Sequence, residues 1–168
     1  MAQKTIVAAV VIAATASIAF AKTQARVPEA RCPSISILGD AVRITQMEAG
    51  KIDLKAEIRD PALSCSVVRG TASSKLSFWV KSAIAPSSDI APRSIPYFVA
   101  VIMDGEVIAK EVFDLKLNFT SDRMLKVKES VAKIDIPIAV GKAAEDDSVT
   151  IGFQLTQAQA EYNRTASR

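Results

Sequence analysis

Residues 94–119 read SIPYFVAVIMDGEVIAKEVFDLKLNF, and their reading decides the fold. Two apolar runs flank Asp104-Gly105. A type I′ hairpin turn needs positive φ at both central residues, which Asp and Gly tolerate, so the stretch predicts two long β-strands joined at that dipeptide. Residues 97–103 are almost continuously apolar, which predicts a strand buried on both faces or central in its sheet. On the return limb Phe113, Leu115, Leu117 and Phe119 alternate with Asp114, Lys116 and Asn118, the period of a half-buried strand. The consecutive pair Val112-Phe113 predicts a bulge where the inward phase switches.

Upstream, the cleanest alternation puts Ile52, Leu54, Ala56 and Ile58 on one face. Lys51, Asp53, Lys55, Glu57 and Arg59 take the other and read as a solvated surface of alternating sign. Asp53 and Glu57 are too far apart for paired acid/base work, because four residues along a strand span ~13 Å. Asp60-Pro61 is expected to end this strand. Residues 63–68 form the next, Gly70-Thr71 a turn, and residues 75–84 a third, with Leu76, Phe78 and Val80 inward. Trp79, the sole tryptophan, faces the opposite side and reads as packing rather than as a ligand site. Shorter extended pieces precede these at 34–37 and 42–45, and residues 85–93, with Pro86 and Pro92, make the longest central loop.

Downstream, Ile134, Ile136, Ile138 and Val140 are in phase, and Pro137 points outward, which predicts an edge strand. Glu145, Asp146 and Asp147 lack calcium-loop spacing and read as a solvated loop. The last strand places Val149, Ile151, Phe153 and Leu155 inward, with Gly152 admitting a close backbone approach. Thr156 is placed to N-cap a short helix over 157–162, after which 163–168 should fray. Asn118-Phe119-Thr120 and Asn163-Arg164-Thr165 match the glycosylation sequon. About eight strands with turn signals between them predict an all-β chain: an antiparallel β-sandwich, immunoglobulin- or fibronectin-III-like, with a short C-terminal helix. A closed barrel is the alternative.

The N-terminus predicts export. Lys4 is a short basic region, residues 6–20 are an apolar run broken only by Thr15 and Ser17, and Ala19-Phe20-Ala21 resembles a cleavage site. Cleavage is expected between Ala21 and Lys22, giving a signal peptide over 1–21, a polar leader over 22–31 and one domain over 32–168. Retention as a membrane anchor is the alternative; the run is short for a ~30 Å hydrocarbon core. Cys32 and Cys65 are the only cysteines, and in an exported chain an even count predicts a disulfide. Two unpaired thiols are the alternative. With no His in the chain, two isolated Cys cannot close a zinc site.

The missing His also removes Ser-His and Cys-His catalysis, and no Gly-x-Ser-x-Gly, P-loop or dinucleotide loop is present. No enzyme activity, cofactor or metal is therefore expected. The basic residues are scattered along the sequence, so no nucleic-acid partner is expected, and membrane association is expected only if the signal is retained.

Cys32-Pro33, Leu63-Ser64-Cys65, Pro96 leading into Tyr97-Phe98-Val99-Ala100-Val101, Gly152-Phe153-Gln154-Leu155-Thr156 and Tyr162-Asn163-Arg164 are short markers spread over most of the domain. Together they resemble an uncharacterised family of exported cell-envelope proteins of alphaproteobacteria, often lipoproteins. The resemblance implies a periplasmic or envelope location and supplies no catalytic residue. Arg31 precedes Cys32 where a lipoprotein signal would have a small residue, so Cys32 is a poor lipid acceptor. The expected function is a non-catalytic envelope module that binds a protein partner or serves structurally. A carrier of small apolar ligands and a signal-anchored accessory subunit are the alternatives.

Overall fold

Asp104 and Gly105 adopt φ of 54° and 81°, and Met103 pairs directly with Glu106, so the hairpin that decides the fold closes at the expected dipeptide. The structure, a computed structural model, describes residues 32–139 and 142–166. The signal segment, the Ala21–Lys22 junction and the 22–31 leader lie outside the described residues. Within them run β1 (Ser34–Ile37), β2 (Arg43–Glu48), β3 (Lys51–Val68), β4 (Thr71–Ile84), β5 (Arg93–Met103), β6 (Glu106–Leu117), β7 (Met124–Pro137), β8 (Ser148–Phe153) and the helix α1 (Gln157–Ala166). They form two four-stranded sheets, ordered β1-β8-β5-β6 and β2-β3-β4-β7, packed as a sandwich. Pairing is antiparallel except for β1 and β8, which run parallel from opposite ends of the chain.

The core is the two inward faces. Leu54, Ile58, Leu76, Phe78 and Val80 meet Ile95, Tyr97, Val99, Leu115, Leu117, Ile151 and Phe153. The apolar β5 lies between β8 and β6, and residues 97–101 are buried on both faces, as expected. Its outer side is covered where Ala41, in the 3-10 turn Gly39–Ala41, packs on Phe98 and Ala100 with Leu155. Gly152 sits beneath this contact. A Cβ there would lie 2.7 Å from the Cβ of Ala41 and 3.0 Å from the Phe98 ring, so the close approach comes from side chains rather than from backbone.

Four local expectations are corrected. Asp60-Pro61 does not end a strand. It forms a bulge between Arg59 and Ala62, with Asp60 at φ 51°, and β3 continues to Val68; a bulge leaves unpaired the position where proline lacks a donor. The turn after β3 is Arg69-Gly70, one residue earlier than expected, since Thr71 already pairs with Val68. No bulge lies at Val112-Phe113, which pair in step with Phe98 and Tyr97; the irregularity falls between Val101 and Ile102. Val112 is simply an exposed apolar residue, which mimics a phase switch. The helix does not end at 162 but runs on to Ala166. Thr156 and Gln159 close a reciprocal cap, and Asn163 Nδ2 donates to Asp40 O at 2.9 Å and Arg43 O at 2.7 Å, holding α1 against β2 through Ala166.

Candidate functional site

Cys32 and Cys65 form the expected disulfide, with Cα atoms 5.5 Å apart. It ties the segment entering β1 to β3, and so links the two sheets. The bonded Cys32 sulfur leaves no thiol for lipid.

The expected solvated face of β3 is wet only in part. Asp53 is 7 % exposed. The β2–β3 register shifts between Gln46 and Met47, opposite Leu54 and Ile52, and Asp53 is the residue left without a strand partner. The bulge turns it toward Arg93, whose Nε donates to Oδ2 at 3.1 Å and whose Nη2 donates to Oδ1 at 3.3 Å. The guanidinium also donates to the Ala91 and Asp89 carbonyls. This hydrogen-bonded cation holds the Asp53 carboxyl below its usual range. Arg123, at φ 54°, donates to the carbonyls of Ala85 at 2.8 Å and Ser88 at 2.7 Å. The 85–93 loop is thus clamped by two arginines. Asp53 is engaged by Arg93 through both carboxylate oxygens, and Glu57 is held between Arg43 and Arg59.

The acidic loop also differs from expectation. Asp147 is buried rather than solvated, its carboxylate has no hydrogen-bond partner among the described residues, and its carbonyl accepts from the Ser34 amide at 3.1 Å. Lys142 pairs with Asp104, tying this loop to the β5–β6 turn. Among the described residues no group of three or more metal-ligating side chains converges. Trp79 is half-buried on the outer face of β4, and Lys126 Nζ lies 4.3 Å from its ring centroid.

The feature that sequence reading missed lies at the open side of the sandwich, where the edge strands β6 and β7 stand next to each other. Pro137 is exposed on β7, as expected of an edge. β7 buries two phases: Leu125, Val127 and Val131 first, then Ile134 and Ile136, with Ile138 following just past its end. The switch is a register shift opposite Ser74 and Leu76, with Lys133 at φ 64°. Glu129 falls on the first inward phase, and Tyr97 Oη donates to its Oε1 at 3.2 Å. The odd-numbered alternation 125-127-129-131 carries that signal, an acid in an apolar register. Tyr97 stacks on Phe113 at 5.3 Å and meets Phe78 edge-on at 5.2 Å. Burial, with Glu129 beside it, pushes the Tyr97 phenol well above its ordinary value, so it stays protonated and donates to Glu129.

Above this pair the edges part around a cleft of about 480 Å³. Val99 and Val101 line it from β5, Ala109 and Phe113 from β6, and Val131 and Ile134 from β7, with Lys110, Glu111, Lys133 and Asp135 among its polar residues. An apolar slot beside two strand edges suits an extended chain, which supplies backbone hydrogen bonds to an edge and alternate side chains to the slot. Comparison with protein-family models, with curated proteins and with solved structures gave no match.

Proposed function

We propose that this protein is a non-catalytic exported domain of the cell envelope that takes an extended segment of a protein partner along its β6–β7 side. The observation that carries the reading is the apolar cleft lying between two strands that each end a sheet. The N-terminal signal pattern and the disulfide support a periplasmic or envelope location. The family resemblance points the same way. The immunoglobulin-like topology belongs to this proposal too. It is supported by the interlocked pairs β4–β7 and β5–β8, while the β2-β3-β4 meander is additional. No specific observation favours the carrier alternative, since Leu54, Phe78, Tyr97 and Phe153 fill the space between the sheets.

The test is site-specific photocrosslinking in the exporting cell. A crosslinker at Ala109 or Lys133 should give one discrete adduct, and a control at exposed Ser66 should give none. Ala109→Arg, which fills the cleft, should abolish the adduct from position 133. Adducts of equal yield from position 66, or none from either cleft position, would remove the proposal.

A further inference from the structure

The charges that are scattered in sequence are gathered in space. On the outer face of the β2-β3-β4-β7 sheet, the register aligns Arg43, Glu57, Lys81 and Lys126 in one row and Arg59, Trp79 and Lys128 in the next. Lys55 and Lys75 extend the same face along β3 and β4. Seven cations therefore surround one tryptophan, with Glu57 as the one carboxylate in the aligned rows, Asp60 on the border at its bulge and Asp135, held by Ser73, one step beyond Lys75. The whole chain carries only +3, so this face holds more than its share of positive charge. Glu57 is occupied by Arg43 and Arg59, which leaves Lys55, Lys75, Lys81, Lys126 and Lys128 exposed and without an ion pair among the described residues. The patch runs ~20 Å along β4 and ~15 Å across four strands.

Beside the lysines a cavity of about 510 Å³ opens between α1 and the sheet, lined by Lys55, Lys81, Ala83, Met124, Tyr162 and Ala166. Met124 is 71 % and Tyr162 39 % exposed. Apolar side chains interspersed with lysines suit an interface in which headgroup and hydrocarbon meet. A nucleic acid would use the first but not the second. The Trp79 ring, under Lys126, is also not open for a base to stack on.

We propose that this face is a peripheral membrane-docking surface that recognises the phosphate headgroups of anionic lipids, with Met124 and Tyr162 reaching the acyl boundary. It is independent of the β6–β7 cleft, which lies at an edge of the sandwich.

The experiment is vesicle co-sedimentation of the protein as the exporting cell yields it. Vesicles of phosphatidylcholine alone are compared with vesicles containing phosphatidylglycerol. Binding should require phosphatidylglycerol and fall at least tenfold between about 50 mM and about 500 mM salt, as the Debye length shrinks. One cation near a membrane is worth a factor of roughly five in partitioning, so Lys81→Gln with Lys126→Gln should weaken binding about 25-fold. The charge-matched pair Lys116→Gln with Lys142→Gln, away from this face and from the cleft, should change it less than threefold. The sole tryptophan reports directly, and its emission should shift on binding in the wild type. Circular dichroism must show both variants folded. Equal binding to phosphatidylcholine, equal loss in the control pair, or tighter binding to a DNA oligonucleotide than to phosphatidylglycerol vesicles would each overturn the assignment.

Discussion

Replacing Arg93 with Leu should unmake the clamp on the 85–93 loop. The substitution keeps an apolar side chain but removes both donors to the Asp53 carboxylate, at 3.1 and 3.3 Å, and those to the Ala91 and Asp89 carbonyls. The carboxylate, 7 % exposed at a bulge that cannot turn it outward, is left uncompensated. Breaking a buried ion pair on one side costs ~3–5 kcal/mol. The Arg93 side chain retains 18 % exposure, so water can partly replace it, and a loss of ~2–4 kcal/mol is expected. For a domain of this size that is a fall in Tm of roughly 6–15 °C. The sign of the pH dependence follows from Asp53. Its folded pKa is depressed below the ordinary 3.8, so the pair's contribution is fully present above about pH 5 and is lost as pH falls through the folded value. Thermal melts of wild type and Arg93→Leu from pH 7 down to pH 3 should show a gap that narrows as pH falls, starting where the variant's uncompensated carboxyl, raised by burial, takes up its proton. Asp53→Asn, and the double variant, complete a cycle whose coupling should exceed 1 kcal/mol by an approximate threshold for contacting groups. A gap that does not change with pH, or a coupling near zero, would refute the account of this pair.

The disulfide closes a separation of 33 residues, and its reduction should cost ~3–4 kcal/mol; unreduced protein should take up no alkylating agent and reduced, unfolded protein two equivalents, by mass spectrometry. Gly152→Val should destabilise by ~1–3 kcal/mol in chemical denaturation, because its side chain meets Ala41 and Phe98, and an unchanged midpoint would mean that the 3-10 turn yields freely. Tyr97→Phe should cost ~1 kcal/mol by removing the donor to Glu129. In alkaline absorbance titration the wild type and this variant should coincide until the protein unfolds, since the Tyr97 phenol is held protonated; an additional phenolate signal from folded wild type would contradict its burial.

The frame was legible because strand alternation and turn chemistry are local. Asp104-Gly105 needs only its own two residues to declare a hairpin, and the continuous apolar run of 97–103 needs only itself to declare a central strand. Errors arose where an extra residue enters a ladder. At Asp60-Pro61, at Asp53 and around Lys133, a bulge shifts the phase, and the resulting side-chain direction depends on the partner strand rather than on the sequence nearby. That is why Asp53 read as solvated and is buried, and why Glu129 escaped notice.

The same dependence explains the basic face. In sequence, Arg43, Lys55, Arg59, Lys75, Lys81, Lys126 and Lys128 stand far apart, and on β3 they alternate with acids. Register brings them together, because two-residue alternation sends each of them outward while pairing stacks β2, β3, β4 and β7 in step. The acids follow a different rule. Glu57 is spent on two arginines, Asp53 is turned aside by a bulge, and Glu129 lies on the inward phase with Tyr97. A one-residue slip of β7 against β4 would place Lys126 and Lys128 inward and disperse the patch. The bulge at Lys133 lets β7 satisfy two demands: cations outward along its first half, and Ile134 and Ile136 inward along its second.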